Sequence, residues 1–191
     1  MNMRGSDDLC QFRNDFITNF RRIGMNTTPG DAQLLRILIE SSGAKNGLEI
    51  GVATGYGAIV MGLGFEQNIG HLTSIDIDAD MARTARANIR KMNLNETVTV
   101  VKGAALKVIP KLDGPFDFVF IDALKQEYLG YLRAVEPKLK ARAIIVADNV
   151  IQFANEMRDF LDAVQTGPKC QSVIIRASKE KRDGMMVIYR K

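Results

Sequence analysis

Cysteine is scarce in this chain. Cys10 and Cys170 are far apart in sequence and too few for a disulfide framework, so a reducing cytoplasm is the expected compartment. No stretch approaches the roughly 18 apolar residues of a membrane span. The opening MNMRGSDDLCQFRNDF also lacks the continuous apolar core of a signal peptide, and a protein without membrane contact is expected. Basic residues exceed acidic ones only enough for a formal charge of +4, short of the dense Lys/Arg tracts of an obligate nucleic-acid binder. Internal repeats, low-complexity stretches and a dividing linker are missing too. What is present is 191 residues, 46% of them hydrophobic. That suffices for one well-buried core and is short for two, so a single domain over 1–191 is expected.

Two helical patterns come first. Leu9, Phe12, Phe16 and Phe20 form an apolar stripe on a helix expected to run to about Arg22, before Gly24. Pro29 opens a second, with Leu34, Leu35, Leu38 and Ile39 on its apolar face and Gly43 as its stop. From Leu48 onward, short Val/Ile/Leu/Phe-rich runs alternate with helical ones, the signature of a parallel sheet covered on both faces. Strands are expected at 47–51, 71–76, 97–102, 116–121 and 143–147, with helices at about 57–66, 79–92, 104–111, 125–139 and 153–165. A last pair at 172–176 and 185–189 reads as antiparallel because its connection is short and polar.

Such sheets bind ligands beyond the carboxyl ends of their strands. Past the first strand stands GLEIGVATGYG, whose Gly51, Gly55 and Gly57 permit positive φ and a close backbone approach, with a helix N-terminus behind them. Their spacing is not the Gly-x-Gly-x-x-Gly of dinucleotide binders, which disfavours a nicotinamide-dependent oxidoreductase. At the tip of the second strand, Asp76 can accept hydrogen bonds from a ribose diol, while Asp78 suits a helix cap. Gly103, Ala104 and Ala105 follow the third strand and leave room for a flat base. FDFVFIDALK and AIIVADN place Asp122 beside Asp148 and Asn149 on strands about 4.8 Å apart. Two carboxylates and an amide oxygen are a hard ligand set, suited to Mg²⁺, Mn²⁺ or Ca²⁺ rather than zinc. Lys125 lies three residues past Asp122. His71, the single histidine, falls at the start of a strand, away from these tips.

Together TTPGDAQLL, LEIGVATGYG, LTSIDID, FDFVFIDALKQEYLGYL and IIVADNV resemble the cation-dependent class I O-methyltransferases, which include the catechol and caffeoyl-CoA types. The resemblance runs from about Thr27 to Arg190. It implies an α/β, Rossmann-like fold: a mostly parallel seven-stranded sheet with an antiparallel C-terminal strand and helices on both faces. Two extra N-terminal helices (1–45) would precede the core (46–191). It further implies that Glu49, Gly51, Gly55, Tyr56 and Gly57 form the S-adenosylmethionine pocket, with Asp76 at the ribose and Ala105 near the adenine. Asp122 would stand between cofactor and metal, with Asp148 and Asn149 as the other metal ligands and Lys125 as the catalytic lysine. The chain departs from the pattern at Gly57 (usually Ser), Ala104 (often Asp), Leu124 (often an acid) and Arg142–Ala143 (usually Gly-Gly). The aromatic- and glycine-containing segment after the Asp-Asn pair is missing, and VIQFANEMRDF is expected to pass straight into a helix.

The activity this implies is divalent-metal-dependent O-methylation of a small vicinal diol, most simply a catechol, by a homodimer. Two alternatives share the fold: a tRNA hydroxyuridine acceptor, for which Lys179, Lys181 and Arg182 are suitably basic, and a cofactor-binding protein without turnover. No aromatic and basic residues interleave in the manner that stacks bases, and Arg83, Arg86, Arg90 and Lys91 read as a solvated helix face.

Overall fold

The computed structural model describes residues 6–191. Seven strands, β1 (Asn46–Ile50), β2 (His71–Asp76), β3 (Val98–Lys102), β4 (Phe116–Ile121), β5 (Leu139–Ala147), β6 (Cys170–Ile175) and β7 (Met185–Arg190), form one sheet in the order 3-2-1-4-5-7-6. The first five run parallel, and β7 inserts between β5 and β6 antiparallel to both. The winding reverses between β1 and β4, which pair directly from Gly47↔Phe118 to Ile50↔Ile121. The crevice beyond their carboxyl ends is where open sheets of this kind bind ligands.

Among the described residues seven α-helices surround the sheet: α1 (Ser6–Thr18), α2 (Pro29–Ser42), α3 (Tyr56–Gln67), α4 (Ala79–Lys91), α5 (Ala105–Val108), α6 (Tyr128–Val135) and α7 (Arg158–Thr166). Side chains alternate across each strand. Leu48, Ile50, Val119, Ile121 and Ile145 therefore face a core shared with α5, α6 and α7. Phe118, Phe120 and Val146 face the other, shared with α2, α3 and α4. Glu49 alternates onto that second side.

The N-terminal helices pack where the apolar stripes dictate. Rings of Phe12, Phe16 and Phe20 stack in series, with centroids 6.2 and 5.6 Å apart, and end on Tyr56 at 5.2 Å. Arg13 ties α1 down through Glu66 at 2.6 and 3.0 Å. Thr28 caps α2: its Oγ1 accepts from the Asp31 amide at 3.3 Å and donates to Asp31 Oδ2 at 2.8 Å, a reciprocal cap.

The helix expected over 104–111 is α5 followed by a 3-10 turn, Ile109–Lys111, β6 starts at Cys170 rather than at 172, and four further boundaries differ from the expectation. Helix α1 stops at Thr18 rather than near Arg22; the backbone amide and the side chain of Asn19 both donate to the carbonyl of Asp15, at 3.0 and 2.9 Å, and residues 19–28 continue as an irregular arm. The helix expected over 125–139 is α6 flanked by two 3-10 turns, Lys125–Glu127 and Glu136–Lys138, the second holding Pro137. Strand β5 begins at Leu139, and its register against β4 slips between Phe116↔Leu139 and Phe118↔Ile144, with Arg142 at φ +66° inside the slip. Finally, 150–157 does not pass straight into a helix. Asp183 Oδ1 accepts the amides of Ile151 and Gln152 at 3.0 and 3.1 Å, holding this stretch as turns until α7 starts at Arg158.

Candidate active site

The glycine loop is built by its contacts with two strand tips. Gly51 donates to Ile75 O at 2.9 Å with φ at +97°, and a Cβ there would collide with the carbonyl of Asp122. Glycine is thus required for β1 to end this close to β4. Asp76 Oδ2 accepts the amides of Val52 (3.1 Å) and Ala53 (2.9 Å), and its Oδ1 accepts that of Asp78 (2.9 Å). Asp76 therefore shapes the loop, with a lone pair left for a ligand hydroxyl. Asp78 caps α4 as expected, accepting from Asp80 and Met81 at 2.7 and 3.0 Å.

Two cavities share Ala123 in their walls. One, about 290 Å³, is lined by Gly51, Asp76, Gly103, Ala104, Ala105, Leu124 and Tyr131, with Ile50, Ile75 and Ile77 among its apolar walls. A mostly apolar slot with one carboxylate suits a nucleoside, whose base is flat and whose ribose offers a diol.

The other, about 570 Å³, holds Asp122, Lys125, Asp148 and Asn149 together with Gln152, Phe153 and Lys181, and is roofed by Gly24, Met25, Asn26 and Thr28 of the N-terminal arm. The Asp148 amide donates to Ile121 O at 3.0 Å, which sets the two carboxylates at the same height on β4 and β5. Lys125 Nζ donates to Asp122 Oδ1 at 3.0 Å and Tyr128 Oη at 2.8 Å, and lies over the Phe153 ring. Tyr128 in turn donates to Asp148 O at 3.2 Å. Burial, then the charges of Asp122 and Asp148, push the Tyr128 phenol well above its ordinary range, so it stays protonated. Burial likewise raises the Asp148 carboxyl; Asp122 adds to this, and the Lys181 ammonium opposes it.

The remaining cofactor candidates lie beneath the loop. Glu49 is 1% exposed on the α3 side, and its Oε2 has no hydrogen-bond partner among the described residues. Burial raises its carboxyl to about 8, and the charges of Asp122 and Asp76 push the same way against the polar Ser74. Gly57, in the first turn of α3, faces the Thr27 hydroxyl: a Cβ at 57 would stand 2.9 Å from Thr27 Oγ1 and 3.2 Å from Glu49 Oε1. Gly55 precedes α3 at φ +92°, against Ala85. The Tyr56 ring packs on Phe20 with the Arg22 guanidinium 5.5 Å from its centroid, supporting the N-terminal arm and lining neither cavity. Two site residues escaped the sequence reading in these roles. Thr27 showed only as the first residue of the TTPGDAQLL stretch, and Lys181 only as one of several loop cations.

Residues 6–174 match the model of the O-methyltransferase family. The chain belongs to this family. Among curated relatives, a catechol O-methyltransferase of Niastella koreensis is 34% identical over 151 residues, covering 77% of this chain and 66% of the relative. A caffeoyl-CoA O-methyltransferase of Eucalyptus globulus is 30% identical over 132 residues, covering 66% of this chain and 53% of the relative. The chain thus spans between half and two thirds of the length of these relatives. In three dimensions it is similar to an O-methyltransferase from Bacillus cereus solved in complex with SAH, with a TM-score of 0.83 at 25% identity, over 97% of this chain and 92% of that one.

Against the O-methyltransferase pattern, the departures acquire locations. The space beside Gly57 is filled by Thr27, so a hydroxyl is present there from another part of the chain. Ala104 and Leu124 are walls of the apolar slot. Arg142 keeps the left-handed backbone that Gly-Gly would adopt freely. The shortened segment after Asn149 leaves the larger cavity bounded by Gln152, Phe153 and Lys181.

Proposed function

We propose that this O-methyltransferase family member transfers the methyl group of S-adenosylmethionine to a hydroxyl of a small vicinal diol such as a catechol, with a divalent cation at Asp122, Asp148 and Asn149. One observation carries the reading. A slot suited to a nucleoside and a cavity lined by oxygen donors and a lysine meet at Ala123. The residues fit both groups. Glu49 offers a buried carboxylate oxygen without a partner for the donor's ammonium, and Thr27 offers a hydroxyl beside it. Asp122, Asp148 and the Asn149 amide form an oxygen-only donor set on the wall of the larger cavity.

Held by Asp122, Asp148 and Asn149, Mg²⁺, Mn²⁺ or Ca²⁺ would supply Lewis acidity that lowers the pKa of the acceptor hydroxyl, so that its proton passes to water before the methyl group moves. Lys125, held by Asp122 and the Tyr128 hydroxyl, stabilises the oxyanion as it attacks. Asp76 holds the glycine loop and offers its remaining lone pair to the ribose. The arm at 24–28 covers the larger cavity and limits water. In-line alignment of oxygen, methyl and sulfur then supplies much of the rate gain without a covalent intermediate. Lys181 is engaged with Asp148 and Asp31, which removes it from the basic loop on which an RNA acceptor would lean.

Methylation of catechol, assayed with and without exhaustive chelation, tests the reading. The rate should collapse on chelation, return with Mg²⁺, and be lost in Asp148→Ala. Turnover that survives both treatments sinks the metal mechanism. Undiminished binding of S-adenosylhomocysteine by Asp76→Ala removes the ribose assignment.

A further inference from the structure

Lys181 stands on the loop joining β6 and β7, far in sequence from every other residue of the larger cavity. Its Nζ lies 2.6 and 2.7 Å from the two carboxylate oxygens of Asp148 and 2.9 Å from Asp31 Oδ2. Little of this is open to water: the side chains are 19%, 3% and 0% exposed for Lys181, Asp148 and Asp31. Both oxygens of a proposed metal ligand are thus bound by the chain's own cation. Asp148 Oδ1 also accepts the Asn149 amide at 2.7 Å.

We infer that Lys181 is a tethered cation that competes with the divalent ion for Asp148, and that it sets how tightly the site takes a metal. This rests on the metal reading above. Two positive groups cannot share one carboxylate face without repulsion, so the ammonium must yield as the ion arrives. Asp31 is built to receive it. That carboxylate is fully buried, already holds the ammonium at 2.9 Å through Oδ2, and has an unpartnered Oδ1 among the described residues. Lys181 can therefore leave Asp148 without leaving a buried charge uncompensated.

The loop keeps the ammonium near whatever the ion does. Arg22 donates to both oxygens of Glu180 at 2.9 and 3.1 Å, tying the loop to the N-terminal arm. On the other side, Asp183 Oδ1 accepts amides of Ile151, Gln152 and Gly184 at 3.0, 3.1 and 2.8 Å. A cation anchored at both flanks competes at high effective concentration. The site should accordingly bind metal more weakly than the same three ligands would with Asp148 unengaged.

The test is Mn²⁺ titration of the full-length protein without cofactor, followed by the electron paramagnetic resonance signal of the free ion. Lys181→Met should tighten Mn²⁺ binding about tenfold or more, the scale on which groups supporting metal ligands act. Because Lys181→Met leaves two buried carboxylates facing each other, Lys181→Met/Asp31→Asn is the companion variant. It removes both charges of the pair and should tighten binding as well. Lys179→Met, an exposed loop lysine, should leave affinity as in the parent. Tighter binding in the two Lys181 variants alone supports the inference. Equal affinity in all four proteins, with Asp148→Asn abolishing binding, overturns the role of Lys181 and leaves the metal site standing. No binding by any of them overturns the metal reading and this inference with it.

Discussion

Glu49 offers the sharpest physical test of the cofactor half. Its carboxyl titrates near 8 in the folded chain because burial removes it from water, against an ordinary 4.5. The folded state thus holds a proton that the unfolded chain releases above pH 4.5, so stability from this group is complete below 4.5 and declines as the pH rises toward 8. From 4.5 to 7, at about 1.4 kcal/mol per pH unit, the decline amounts to ~3 kcal/mol. Glu49→Gln keeps the shape and cannot ionise. Urea denaturation of both proteins between pH 5 and 8 should show the parent losing stability relative to the variant as pH rises. The same carboxyl predicts a proton count. If its ionised form meets the cofactor's ammonium, binding of S-adenosylhomocysteine at pH 7 should release roughly 0.9 proton, measurable by calorimetry in buffers of differing ionisation enthalpy. Parallel stability curves, or proton release near zero, would refute the reasoning.

Two further outcomes follow from local geometry. Arg142→Gly should stabilise the protein by ~1 kcal/mol, raising Tm by roughly 2–4 °C, because Arg142 holds a left-handed φ of +66° at an exposed position. A lowered Tm would show that the Arg142 side chain contributes more than its backbone costs. Thr27→Val should weaken S-adenosylhomocysteine binding by about 2- to 10-fold, the usual range for one hydrogen bond. Unchanged affinity would mean that the hydroxyl beside Gly57 serves packing alone.

Much of the architecture was legible because its signals are local. Alternating apolar runs and helical stripes placed β1 to β4 within a residue or so, and Pro29 and Gly43 marked the ends of α2. Where local and distant forces competed, the distant ones won. Residues 150–157 carry a helix-like pattern, yet Asp183 takes their amides from across the fold and holds them as turns. Arg142 has no turn-forming side chain; the resemblance, with Gly-Gly at that place, marked the position, and the slip of β5 against β4 accounts for its left-handed backbone.

The candidate site divides along the same line. Sequence by itself determined which chemical groups stand at the strand tips: the glycines after β1, Asp76 at the end of β2, Asp122 after β4, and Asp148 and Asn149 after β5. A strand followed by a ligand-bearing turn is written in consecutive residues, and parallel neighbours align those turns automatically. Tertiary structure alone decided what those groups meet. The Thr27 hydroxyl beside Gly57, the orphaned oxygen of Glu49 and the Lys181 ammonium between Asp31 and Asp148 all depend on how separate loops are brought over the sheet. Such encounters follow from the packing of the whole chain, and no local pattern encodes them.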